Sequence, residues 1–299
     1  MSNLTQLGNV KGHLARPAGN GPFPALIVIQ EWWGLDDQTK SIADRFAQEG
    51  YLAFAPDLYH GELAQLGDGE TAMKLVQKYG PNAYLDLQSL FDALKAHPEC
   101  NGKIGSVGFC FGGRMSLTLS TSRPVDAVCT FYGGGMQTIF DQLRTNLKAP
   151  VLGLFGDADV SIPAGTVEQF DQLLDEVGVE HEVIMYPNSG HAFFRDSDPS
   201  VYIPEASKDA WDRVKNFFNK NLNKKREAVN RPPLFLPTPH HQPPTIFGTA
   251  GSTQRQRHTS SKVPTKAERS IAYSNGSCLP MPCGLHPREP SARLRPPVT

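Results

Sequence analysis

Lys103-Ile104-Gly105-Ser106-Val107-Gly108-Phe109-Cys110-Phe111-Gly112-Gly113 is the stretch on which the reading of the fold turns. Ile104 to Phe109 is an apolar, small-residue run of strand length that stops at Cys110. Arg114-Met115-Ser116-Leu117-Thr118-Leu119 follows, with the composition of a buried helix. Strand, Gly-Phe-Cys-Phe-Gly and helix together make a nucleophile elbow, with cysteine where serine is commoner. A turn this sharp leaves almost no room for side chains at Gly108 and Gly112. The helix aims its N-terminal N–H groups and the positive end of its dipole at the sulfur, which favours a thiolate. Taken alone, the same residues also describe an ordinary buried cysteine at a tight turn.

Working outward, strand and helix patterns alternate. Pro24 to Gln30 is a continuous apolar run bounded by turns, as in a strand buried on both faces. Val10 to Ala15, Tyr51 to Ala55, Val125 to Tyr132, Ala149 to Phe155 and Glu182 to Tyr186 read as further strands. Asp36 or Asp37 caps a helix whose apolar face is Ile42, Ala43 and Phe46 and which closes at Gly50. After a long connection from Leu58 to Asp68, one helix is expected over Glu70 to Tyr79. A second is expected to start at Pro81, with Leu85, Leu87, Leu90 and Leu94. Ala164 to Val177 and Pro204 to Leu222 are the last two helical patterns. The alternation predicts one α/β domain with a mainly parallel sheet and helices on both faces.

The chain has 299 residues and a formal net charge of −1, which conceals two unlike parts. From Leu222 onward there are twelve Lys/Arg and three Asp/Glu, so the preceding residues carry 17 − 27 = −10. Thirteen prolines and few aliphatic residues follow Arg226. Such a segment cannot bury enough apolar surface to offset its ordering entropy, and disorder is expected. The division is therefore a domain over 1–222 and a basic, proline-rich tail over 223–299. The tail lacks interleaved aromatics or a recognisable module, so nucleic acid is not an expected partner. No apolar run is long enough to cross a bilayer, no membrane partner is expected, and Met-Ser-Asn-Leu-Thr-Gln at the start does not read as a signal sequence. A cytoplasmic monomer is the expectation. Five cysteines lack the spacing of a disulfide framework or a zinc site, and no histidines sit at ligand spacing with a carboxylate. No metal or organic cofactor is expected.

Enzymes with an elbow nucleophile carry an acid and then a histidine later in the chain. Both are present, each after a strand: Gly156-Asp157-Ala158-Asp159-Val160-Ser161-Ile162-Pro163, then Pro187-Asn188-Ser189-Gly190-His191-Ala192-Phe193. A lone aspartate before a proline is more often a turn former, and a lone histidine after a strand is more often structural. Their order after Cys110 favours catalysis. Spacing leaves Asp157 and Asp159 in competition for the acid.

The body, over roughly residues 8–221, resembles the dienelactone hydrolases (carboxymethylenebutenolidases) of the α/β-hydrolase superfamily. The likeness rests on Gln30-Glu31-Trp32-Trp33-Gly34, Ala55-Pro56-Asp57-Leu58-Tyr59, Gly108 to Gly113, Asp159 to Pro163 and Gly190-His191-Ala192-Phe193. It implies the α/β-hydrolase fold and hydrolysis of a small lactone or ester, a dienelactone from aromatic-ring catabolism being the family substrate. It selects Asp159 over Asp157, with Cys110 as nucleophile and His191 as base. It places the oxyanion on the backbone N–H groups of Trp32 and Phe111. Glu31 matches a family carboxylate that pairs with the resting cysteine and is displaced by substrate. Arg195 matches an arginine that binds the substrate carboxylate, and Trp33 and Tyr132 are expected to help wall the pocket. A second family arginine has no counterpart, since no arginine occurs from 47 to 113. That departure favours a general carboxylesterase or thioesterase as the alternative, and a redox-sensing or binding protein is a third reading.

Overall fold

The computed structural model describes residues 4–223. The tail expected over 223–299 thus lies outside the described residues except for Asn223. The sheet has eight strands: β1 (Thr5–Leu7), β2 (Val10–Ala15), β3 (Phe23–Ile29), β4 (Leu52–Pro56), β5 (Cys100–Phe109), β6 (Ala127–Phe131), β7 (Val151–Gly156) and β8 (His181–Tyr186). Their order across the sheet is β1-β2-β4-β3-β5-β6-β7-β8. β1 and β2 run antiparallel at one edge, and every pairing from β4 to β8 is parallel. The parallel strands read as unbroken apolar runs because helices cover both of their faces. Ala25 to Ile29 and Val151, Leu152 and Leu154 have no exposed surface.

Adjacent residues of β5 identify the two faces. A Cβ added at Gly105 would meet Phe218 and Leu222 of α6 (Pro204–Leu222). Ser106, pointing the other way, shares a buried hydrogen bond of 2.8 Å with Ser116 of α3 (Phe111–Ser120). α1 (Asp37–Gln48) joins α6 through Phe46, which packs on Trp211 and Phe218. Asp36 is the α1 cap, accepting from Thr39 N at 2.9 Å, which settles the choice that the sequence left between Asp36 and Asp37.

One expectation is corrected. Two helices were expected on either side of Pro81, but α2 is a single helix over Gly69–Lys95. Pro81 removes one backbone donor and crowds the carbonyl four residues earlier. Both Pro81 and Gln77 are exposed, so water can take that carbonyl. Ala72 and Leu75 before the proline, and Ala83, Leu87, Leu90 and Leu94 after it, are buried. Continuing the helix keeps all of them in the core. Leu85, expected on that face, is exposed. The short β1, α4 (Phe140–Asn146) and the 3₁₀ turn Met136–Ile139 have no counterpart in the sequence reading. Each is too short for a periodic pattern to emerge. α5 (Ala164–Val177) closes on Gly178 in the left-handed region, as a glycine stop predicts. No helix among the described residues is long and apolar enough to cross a membrane.

Phe218 is fully buried against Phe46 and Tyr51. Phe218→Ala should lower unfolding free energy by about 3–5 kcal/mol. Urea unfolding monitored by circular dichroism measures it, and a loss below about 1 kcal/mol would show that this side of the sheet repacks freely.

Candidate active site

The elbow is built by steric exclusion. A Cβ on Gly108 would lie 2.0 Å from the Gly112 carbonyl oxygen, and one on Gly112 would lie 2.4 Å from the Gln30 carbonyl oxygen. Only glycine lets β5 run so closely under the start of α3 and beside β3. Cys110 itself is forced to φ 54°, ψ −115°, a conformation that L-residues rarely adopt. Its N–H is fixed to Phe131 O at 3.0 Å, and its carbonyl accepts from Gly113 N at 3.0 Å. The residue is thus pinned at the head of a helix whose N–H groups face it. Cys110 is buried.

The acid and histidine loops are locked to each other by their backbones. Ala158 N donates to Ser189 O at 3.0 Å and Asp157 N to Tyr186 O at 3.0 Å. Gly156 permits this approach, because a Cβ there would stand 2.0 Å from Ser189 O. Asp159 Oδ2 and His191 Nδ1 then meet at 2.7 Å, with the Asp159 side chain 1 % exposed and that of His191 25 % exposed. Asp157 is exposed. Burial pushes the Asp159 carboxyl up, but hydrogen bonding and charge from His191, with further bonds from Ser161, outweigh it and hold the carboxyl below the usual carboxylate range. Phe193 and Phe194 anchor the segment after His191. They pack on Tyr132 and Phe131 respectively, and Ser207 Oγ caps Phe193 O at 2.8 Å.

Ser161 is a member of the constellation that the sequence reading did not single out. Its N–H and hydroxyl both donate to Asp159 Oδ1, at 2.9 and 2.6 Å, and its oxygen lies 3.1 Å from His191 Nδ1. The signal was present as an Asp-x-Ser turn, which leaves Oδ2 for the imidazole.

Glu31 and Arg195 are paired with each other in the structure. Glu31 Oε2 accepts from Arg195 Nη1 at 2.7 Å, and Oε1 accepts from the Tyr132 hydroxyl at 3.2 Å. The carboxylate assigned to the resting cysteine is therefore held by an arginine and a tyrosine. Arg195, assigned to a substrate carboxylate, is 6 % exposed and is also bound through Nη2 to Asp36 Oδ2 at 2.5 Å. Burial raises the Glu31 pKa, and Arg195 only partly counters it. Tyr132, at φ 36° just past β6, has its hydroxyl pKa pushed well up by burial and then by the Glu31 and Cys110 charges. It places its ring 5.0 Å from that of His191. Trp32 and Trp33 are buried edge to face with centroids 4.9 Å apart, and Ala64 N donates to Trp33 O. They pack beneath the connection from β4 to α2. Among the described residues no cluster of three or more His, Cys, Asp or Glu side chains is placed to hold a metal ion.

A family profile described as the dienelactone hydrolase family matches residues 10–222. The chain belongs to the dienelactone hydrolase family. A candidate carboxymethylenebutenolidase of Methylorubrum extorquens is 34 % identical over 230 residues, covering 72 % of this chain and 78 % of the relative. A crystal structure of a candidate dienelactone hydrolase from Klebsiella pneumoniae superposes with TM-score 0.66 at 32 % identity, covering 73 % of this chain and 98 % of the other. A dienelactone hydrolase-like promiscuous phosphotriesterase from metagenomic libraries has the same TM-score at 25 % identity, over 73 % and 98 % of the two chains. This dienelactone hydrolase family member has the α/β-hydrolase fold and is a hydrolase acting on ester or lactone bonds.

The depressed pKa of Asp159 fixes a sign for stability. A carboxyl whose folded pKa lies below its unfolded value contributes stability above the unfolded value, and that contribution disappears as pH falls through the folded one. The stability gap between wild type and Asp159→Asn should therefore be full above about pH 4 and shrink below it. Urea titrations of both proteins at stepped pH measure the gap, and one that widens on acidification would contradict the assignment.

Proposed function

We propose that this protein hydrolyses a small ester or lactone through a Cys110–His191–Asp159 triad and an acyl-enzyme. The observation that carries the reading is the 2.7 Å Asp159–His191 pair, set on the loops after β7 and β8 with elbow Cys110 at the end of β5. His191 takes the thiol proton as the sulfur attacks the carbonyl carbon, and the electron pair of the carbonyl moves to oxygen. That oxygen lies on the backbone N–H groups of Phe111 and Trp32. Collapse forms the thioester and expels the alkoxide, which takes the proton from His191. Water then loses a proton to His191 and attacks the thioester, releasing the acid and restoring the thiol. Asp159 stabilises the imidazolium in both halves, and Ser161 fixes its second oxygen.

In this reading residues 1–222 form the catalytic unit, a monomer; the support is the alternation of strands and helices over those residues. Hydrolysis of a dienelactone, in aromatic-ring catabolism, is supported by family membership and by the candidate carboxymethylenebutenolidase of Methylorubrum extorquens. A general ester hydrolase with the same triad is the second reading. The absence of arginine from 47 to 113, together with two protein carboxylates on Arg195, favours it.

Cys110→Ala should lower kcat/KM by at least about 10⁴-fold on any substrate while leaving the unfolding curve in place. The assay compares cis-dienelactone with a neutral nitrophenyl ester of similar size. Appreciable turnover by Cys110→Ala would remove the nucleophile assignment.

A further inference from the structure

Arg195 stands at the edge of the site with its charge already matched. Glu31 occupies Nη1 and Asp36 occupies Nη2, and all three side chains are largely buried. The remaining donor, Nε, is buried without a hydrogen-bond partner. It adjoins a cavity of about 10 Å³ bounded by Thr39, Ile42, Phe109 and Phe194, space for about one water and too little for a carboxylate. Both Nη groups of the guanidinium are thus already taken by protein carboxyl groups, and Asp36 faces the same guanidinium. A substrate carboxylate brought here would meet like charge in a poorly solvated place, at a cost that a neutral acyl chain avoids.

Asp36 is well built for this task. Its Oδ1 is committed to capping α1, accepting from Thr39 N at 2.9 Å and from the Thr39 hydroxyl at 2.8 Å. That leaves Oδ2 pointing at Arg195. The cap therefore fixes the orientation of the carboxylate, and the guanidinium is gripped from a helix terminus. Resting on the triad reading above, we propose that Asp36 is a specificity-determining residue. By occupying Arg195 it directs the site to neutral esters and lactones and against those with a carboxylate on the acyl chain.

The test compares a nitrophenyl butanoate with the nitrophenyl hemisuccinate, similar in length but ending in a carboxylate. Wild-type kcat/KM should favour the butanoate by about tenfold or more. Asp36→Asn keeps a capping oxygen for Thr39 and removes the charge. It should narrow the preference at least about threefold, through a lower KM for the hemisuccinate, and high salt should blunt the difference between the two proteins. Asp36→Ser, which also caps, provides the same reading if the asparagine variant fails to fold. A wild-type preference for the hemisuccinate overturns the proposal and leaves the hydrolase reading standing. So does a ratio unchanged in both folded variants. Hydrolysis of neither ester by the wild type would overturn this inference, while turnover of a lactone lost in Cys110→Ala would leave the triad reading standing without it.

Discussion

The contact between Gly108 and Gly112 is the constraint on which the rest of the site depends. With a 2.0 Å clearance for any added Cβ, the chain has one way to pass from β5 into α3, and that way places Cys110 at a positive φ. The strain is held by the sheet. Phe131 O grips the cysteine N–H, and the Gln30 carbonyl abuts Gly112 from the other neighbouring strand. A single backbone conformation thus ties β3, β5 and β6 together at their C-terminal ends. The cysteine, the tryptophan pair after β3 and Tyr132 after β6 are brought to one locality by that closure.

Around this fixed point two electrostatic arrangements face each other. On one side Asp159, kept ionised by His191 and Ser161, orients the imidazole. On the other, Glu31, pushed toward its neutral form by burial, is restrained by Arg195 and Tyr132. The two carboxyl groups are driven in opposite directions by their surroundings. The first suits an orienting acid. The second suits a group whose charge depends on the company it keeps, and its arginine is shared with the cap of α1.

Much of this was legible in the residues. Apolar runs ending at Gln30, Phe109 and Phe155 named the parallel strands, because strands covered on both faces have no polar side to show. The elbow, acid and histidine stretches appeared in order because their turn residues are dictated by backbone geometry. Pro81 misled, since proline chemistry is local while the burial of Ala72, Leu75, Leu87 and Leu90 that carries α2 past it is not. Ser161 was visible as turn spacing and was not recognised as a partner of the acid. The partners of Arg195 were not legible, since they lie 159 and 164 positions away in the chain.

The sequence by itself determined the elbow, the alternation of strands and helices, and the choice of cysteine as the candidate nucleophile. All of these follow from steric limits and burial periods that act within a few residues. Only the tertiary structure decided which carboxylates share Arg195 and that Ser161 joins Asp159 at the imidazole. It also decided that a helix cap is wired to the wall of the site. Ion pairs form between whichever charged groups the packed sheet brings within a few ångströms, and sequence distance carries no information about that.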